Sequence, residues 1–189
     1  MTLLPATPGQ TIGPFYGFAL PVERGADLVP PGSPGSIHVH GTVIDGAGAP
    51  VPDALLEIWQ ADAHGVVPTA PGSLRRDGWT FTGWGRTSTD GAGQYGFTTI
   101  KPAAVQEGCA PFIAMTVFAR GLLDRLFTRV YLPDERLAGD PLLVSLSPSR
   151  RETLIAIPDE HGLRFDVRLQ AGSDGQAETV FLQYRVGGS

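Results

Sequence analysis

The chain has 189 residues, enough for one well-buried domain and short for two. Hydrophobic residues make up 42% and charged residues 17%, which excludes a disordered chain, and a net charge of -5 with no basic run longer than a pair excludes a nucleic-acid footprint. The 25 glycines and 17 prolines follow no collagen-like period, so they point to many short elements joined by turns.

Residues 1–36 read as an extended arm. Their seven prolines exclude a long helix, while TIGPFYGFAL (11–20) is apolar enough to be buried against something. From Ile37 the pattern becomes alternating or continuous β: IHVHGTVID (37–45), ALLEIWQAD (54–62), GWGRTST (83–89), QYGFTTI (94–100), FIAMTVFAR (112–120) and RLFTRVYL (125–132). ETLIAIP (152–158), LRFDVRLQ (163–170) and ETVFLQY (178–184) continue it. GAGAPVPD (46–53), DGAG (90–93) and AGSDGQ supply the left-handed positions that tight turns need. Only DERLAGDPLLVSL (134–146) offers helical turns. The expectation is an all-β chain: a two-sheet β-sandwich of about nine short strands over residues 37–189, preceded by the arm.

No apolar run approaches the roughly 18 residues of a membrane helix. The opening MTLLPATPGQT has neither the basic nor the apolar region of an export signal, and the single cysteine, Cys109, fits a reducing cytoplasm.

Chemistry is sparse. Of the histidines His38, His40, His64 and His161, only His38 and His40 stand at ligand spacing, because positions i and i+2 of a strand share a face. No Cys, Asp or Glu beside them completes a set, so they are expected on the polar side of a strand that turns Ile37, Val39 and Gly41 inward. There is no nucleophile elbow and no phosphate-binding glycine loop, and Cys109 in EGCAP reads as an inert thiol. The residues alone describe an enzyme-like fold without catalytic groups.

GTVIDGAGAPVPDALLEIWQADAHG (41–65), GWGRTSTDGAGQYGFTTIKP (83–102), RLFTRVYLPDE (125–135) and LRFDVRLQAGSDGQAETVF together resemble the intradiol aromatic-ring dioxygenases, over nearly the whole chain. That resemblance implies a family in which active members hold a non-haem ferric iron with two tyrosines and two histidines. Here those positions fall at Val67, Val105, Phe112 and Ala114, and the arginine preceding the histidine pair falls at Cys109. Hydrocarbon side chains offer no O, N or S donor. The resemblance therefore implies an iron-free, alpha-type subunit with no catalytic residue of its own. Its partner would be a beta chain that holds the ferric iron, in a complex cleaving 3,4-dihydroxybenzoate with O₂ to 3-carboxy-cis,cis-muconate.

LPATPGQTIGPFY and FARG (118–121) resemble alpha-type chains in particular, where these segments reach the pocket around the partner's iron. The implied pocket residues are Thr11, Gly13, Pro14 and Arg120. A guanidinium suits a substrate carboxylate, and a Gly-Pro backbone gives a stiff wall for a flat ring. Two other readings stand beside this one: a self-sufficient iron dioxygenase, and a β-sandwich binding module without catalytic association.

Overall fold

The computed structural model describes residues 20–69, 77, 80–172 and 175–183. Among the described residues nine strands run in chain order: β1 (Ser36–Ile44), β2 (Leu55–Gln60), β3 (Trp84–Ser88), β4 (Gln94–Ile100), β5 (Phe112–Phe118), β6 (Leu126–Tyr131), β7 (Ile157–Asp159), β8 (Gly162–Arg164) and β9 (Val167–Arg168). One sheet has the order β4-β1-β8-β7, with β9 also paired to β1; the other has the order β3-β2-β5-β6. The expected two-sheet sandwich is thus the observed architecture.

Strand alternation builds the core. Val39 and Val43 of β1, Phe97 of β4, Leu56 and Ile58 of β2, and Met115 and Val117 of β5 are all at most 1% exposed and form one cluster between the sheets. His38, His40 and Thr42 occupy the other face of β1, as the sequence pattern requires.

One turn chemistry recurs four times. Asp45, Asp62, Asp90 and Asp159 each lie three residues before a glycine, and each accepts backbone N–H bonds through Oδ1 from inside its own turn. Gly48, Gly65, Gly93 and Gly162 all have positive φ. An aspartate that satisfies the turn's amides, followed by a residue free to go left-handed, closes each loop at little cost.

The outer edges of β3, β4 and β6 are covered by chain. Gly25 O accepts from Arg86 N of β3 (2.8 Å), Ala26 O accepts from Thr98 N of β4 (2.9 Å), and Leu182 N donates to Phe127 O of β6 (2.7 Å). Leu28, from the described part of the expected arm, packs in the main core cluster.

The C-terminal third departs from expectation. ETLIAIP does not form a strand from its start: a helix, Pro148–Glu152, runs into it with Pro148 in the first turn, and only Ile157–Asp159 is strand. LRFDVRLQ is split into β8 and β9, which pair with β1 in one register; between them the Thr42 N–H donates to the Asp166 carboxylate (3.0 Å), and Phe165 N donates to His40 O (2.7 Å). An added Cβ at Gly41 would sit 2.0 Å from Phe165 O, so only glycine admits this crossing. ETVFLQY makes no ladder among its described residues. It is pinned instead by Thr179 N to Arg168 O (3.0 Å) and by the Thr128 hydroxyl to Val180 O (2.8 Å). The expected helical segment 134–146 holds a 3-10 turn, Glu135–Gly139, and a short helix, Pro141–Ser145. These helices cover a second cluster built on Tyr131, Leu143, Leu154 and Val180.

Candidate functional site

Buried Gln60, 3% exposed, organises one end of the sandwich. It ends β2, accepts from the Thr99 hydroxyl (2.7 Å), and donates to Ile100 O (2.9 Å) of the opposite sheet. The loops leaving β2 and β4 therefore start side by side. They stay together: Ala103 N donates to Asp62 O (2.9 Å), and a Cβ on Gly65 would meet Ala104 O at 2.4 Å. Val67 rides on the first loop and Val105 on the second, 40% and 54% exposed.

Phe112 and Ala114 lie on β5 beside these loops, on the face opposite to inward Ile113 and Met115. Ala114 stands in register between Trp59 of β2 and Arg129 of β6, and Phe112 is in register with Tyr131. The fold thus places Val67, Val105, Phe112 and Ala114 at the same end of the molecule.

Arg129 is a residue that sequence reasoning missed. Its guanidinium lies 4.0 Å from the Phe112 ring centre, and its Nη1 donates to the Tyr131 hydroxyl (3.1 Å). That hydroxyl donates to Asp140 Oδ1 (3.1 Å). Burial pushes Tyr131 up to about 12 against the pull of the Arg129 guanidinium, so the phenol stays a neutral donor. No local motif marks Arg129; a cation predicted to alternate outward beside Ala114 was the available signal.

Arg120 lies elsewhere. Ala114 and Phe118 are about 13 Å apart along β5, and Arg120 follows at the far end of that strand. Its Nη2 pairs with Asp53 Oδ2 at 2.9 Å, and its side chain remains 63% exposed. Thr11, Gly13 and Pro14 lie outside the described residues.

A second polar group appears on the outer face of β1. The His38 and His40 rings stack at 5.3 Å, His40 Nε2 lies 3.0 Å from Asp159 Oδ1, and His38 Nδ1 is 3.1 Å from His161 O. These side chains open onto a polar groove of about 790 Å³. Among the described residues no set of His, Cys, Asp and Glu is arranged to hold a metal ion.

The two-sheet fold and the motif-bearing loops at its Gln60 end are those of a known class. The dioxygenase family profile matches residues 13–171, and the chain belongs to this family of intradiol ring-cleaving dioxygenases. Over nearly its full length it is homologous to protocatechuate 3,4-dioxygenase alpha chains. That of Burkholderia cepacia is 38% identical, with 96% of this chain and 99% of the relative aligned. The beta chain of the same enzyme and organism is 35% identical over 64% of this chain and 54% of its own. Among solved structures, the dioxygenase domain of a dioxygenase–carbohydrate-binding protein fusion from Streptomyces sp. SirexAA-E superposes with a TM-score of 0.53 at 26% identity, covering 87% and 98% of the two chains.

The family implies iron. Two valines, a phenylalanine and an alanine supply no donor atom, and a guanidinium lies over the phenylalanine. These residues do not fit a ferric ion.

Proposed function

We propose that this chain is the iron-free, alpha-type subunit of a protocatechuate 3,4-dioxygenase. It pairs with a beta-type chain that holds the ferric iron, and the complex cleaves 3,4-dihydroxybenzoate with O₂ to 3-carboxy-cis,cis-muconate in the cytoplasm. The observation that carries this reading is homology to alpha chains over 96% of this chain; it is supported by Val67, Val105, Phe112 and Ala114 at the positions where the family resemblance puts the iron ligands.

In this reading residues 1–36 form an arm and residues 37–189 the sandwich. Thr11, Gly13 and Pro14 line the edge of the partner's pocket, and Arg120 offers its guanidinium to the substrate carboxylate. The position of Arg120 supports that division of labour, since it lies at the end of β5 away from Phe112 and Ala114. Among the described residues its ion pair is with Asp53, which engages one of its five donors and suits the others to a further carboxylate. The chain needs no metal, nucleic acid or membrane of its own.

Assembly tests the reading. The apolar TIGPFYGFAL and the exposed Trp59, Val66, Val105 and Leu123 make a chain that should self-associate when expressed alone. Co-expression with a beta-type chain carrying the tyrosine and histidine ligands should give a soluble complex that consumes O₂ with protocatechuate. A stable monomer by light scattering, unchanged by such a partner, would favour the binding-module reading instead.

A further inference from the structure

We infer that the Arg129 guanidinium takes the place of a metal ion in this chain: a fixed cation that closes the Gln60 end of the sandwich to metals. The inference rests on the iron-free reading above and adds the residue that enforces it. Absence of ligands would by itself leave a hole or an apolar patch. The structure instead places a positive charge 4.0 Å from the Phe112 ring, in register with Ala114.

The small Ala114 side chain leaves the flank of β5 open to its neighbour on β6, and the flat Phe112 ring gives the guanidinium a face to stack on. The charge is also tied down from below. Arg129 Nη1 donates to the Tyr131 hydroxyl, which donates to Asp140, and the Asp140 carboxylate is 1% exposed. The buried Asp140 carboxylate, reached through the Tyr131 hydroxyl, helps to hold the arginine in place over the β5 face. A divalent ion bound beside Phe112 and Ala114 would meet this charge at a few ångström. Coulomb repulsion at that range weakens binding by about tenfold even at the dielectric of water, and more where water is excluded.

A histidine pair grafted onto β5 tests this directly. Phe112→His with Ala114→His places two imidazoles on one strand face, a chelate for Ni²⁺. Nickel affinity is measured on the full-length chain copurified with its beta-type partner, and read as the difference from the unsubstituted complex. With Arg129 retained the pair should bind weakly. Adding Arg129→Gln should strengthen binding by at least about tenfold, whereas Arg129→Lys, which keeps the charge, should not. If the Arg129→Gln variant does not fold, Arg129→Met serves the same comparison while still packing on the sheet. Equal affinity with arginine and glutamine, relief by lysine, or no binding in any background would each overturn the inference. Tightly bound iron in the unsubstituted chain would instead overturn the subunit reading, whatever Arg129 does.

Discussion

Asp140→Ala should lower the stability of the chain by about 3–5 kcal/mol, a loss set by the number of buried donors it strands. Asp140 Oδ1 accepts from Leu142 N (3.0 Å), Leu143 N (3.2 Å) and the Tyr131 hydroxyl (3.1 Å), while Oδ2 accepts from Ala110 N (3.0 Å). Alanine removes all of these acceptors at once from a position that water barely reaches. Loss of an N-cap alone costs about 0.5–2 kcal/mol, and each buried donor left unpaired adds roughly 1–3 kcal/mol before relaxation. Relaxation has somewhere to go, because Pro141–Ser145 is too short to stand as an isolated helix. The cover over Tyr131, Leu143 and Leu154 would loosen with it. Asp140→Asn, which keeps one acceptor oxygen, should cost about half as much. Urea midpoints at unchanged slope measure both; an alanine effect below about 1 kcal/mol would show that the network is not a support of the fold.

Arg120→Ala should act on catalysis by the complex and leave folding alone. The arginine stands on a turn after β5, with Ala119 buried beneath it and Leu122 N donating to Ala119 O at 3.2 Å. Its pair with Asp53 is solvent-exposed, and such pairs contribute about 0–1 kcal/mol, so truncation costs little stability. If the guanidinium also meets the substrate carboxylate, losing a charge-assisted contact costs about 1.5–3 kcal/mol, or roughly 10- to 150-fold in kcat/KM. Catechol, which lacks the carboxylate, is the control: its turnover should change little. Lysine at this position should recover part of the loss, keeping the charge without the planar fork. Equal loss on both substrates would assign Arg120 a structural role, and no loss on protocatechuate would place it outside the pocket.

These two residues show what kind of information a sequence carries. Arg120 could be nominated from sequence because it sits in a motif, FARG, that resembles alpha-type chains. Asp140 and Arg129 could not, since their partners are brought to them by the β5–β6 register and by a helix folding back over β6. The same division runs through the fold. Strands β1 to β6 were legible from alternation and from glycine-rich turns such as DGAG (90–93), which act within a few residues. ETLIAIP and ETVFLQY look equally strand-like, yet tertiary contacts decide them: Leu154 packs under a helix, and Val180 is held by the Thr128 hydroxyl rather than by a ladder. His38 and His40 read correctly as an outward pair, but Asp159 and His161 join them only through the β7–β8 hairpin.

Iron stoichiometry is the most direct measure of the central claim. The chain purified without a partner and the complex with its beta-type chain would both be analysed for metal, with visible absorption recorded for tyrosinate-to-iron charge transfer. An iron-free alpha-type subunit should show no stoichiometric iron and no charge-transfer band when isolated. That assignment also requires about one iron per pair of unlike chains in the complex, lost when the beta chain's ligands are substituted. About one tightly bound iron in the partner-free chain, with the coloured band, would contradict it and make the chain a self-sufficient dioxygenase.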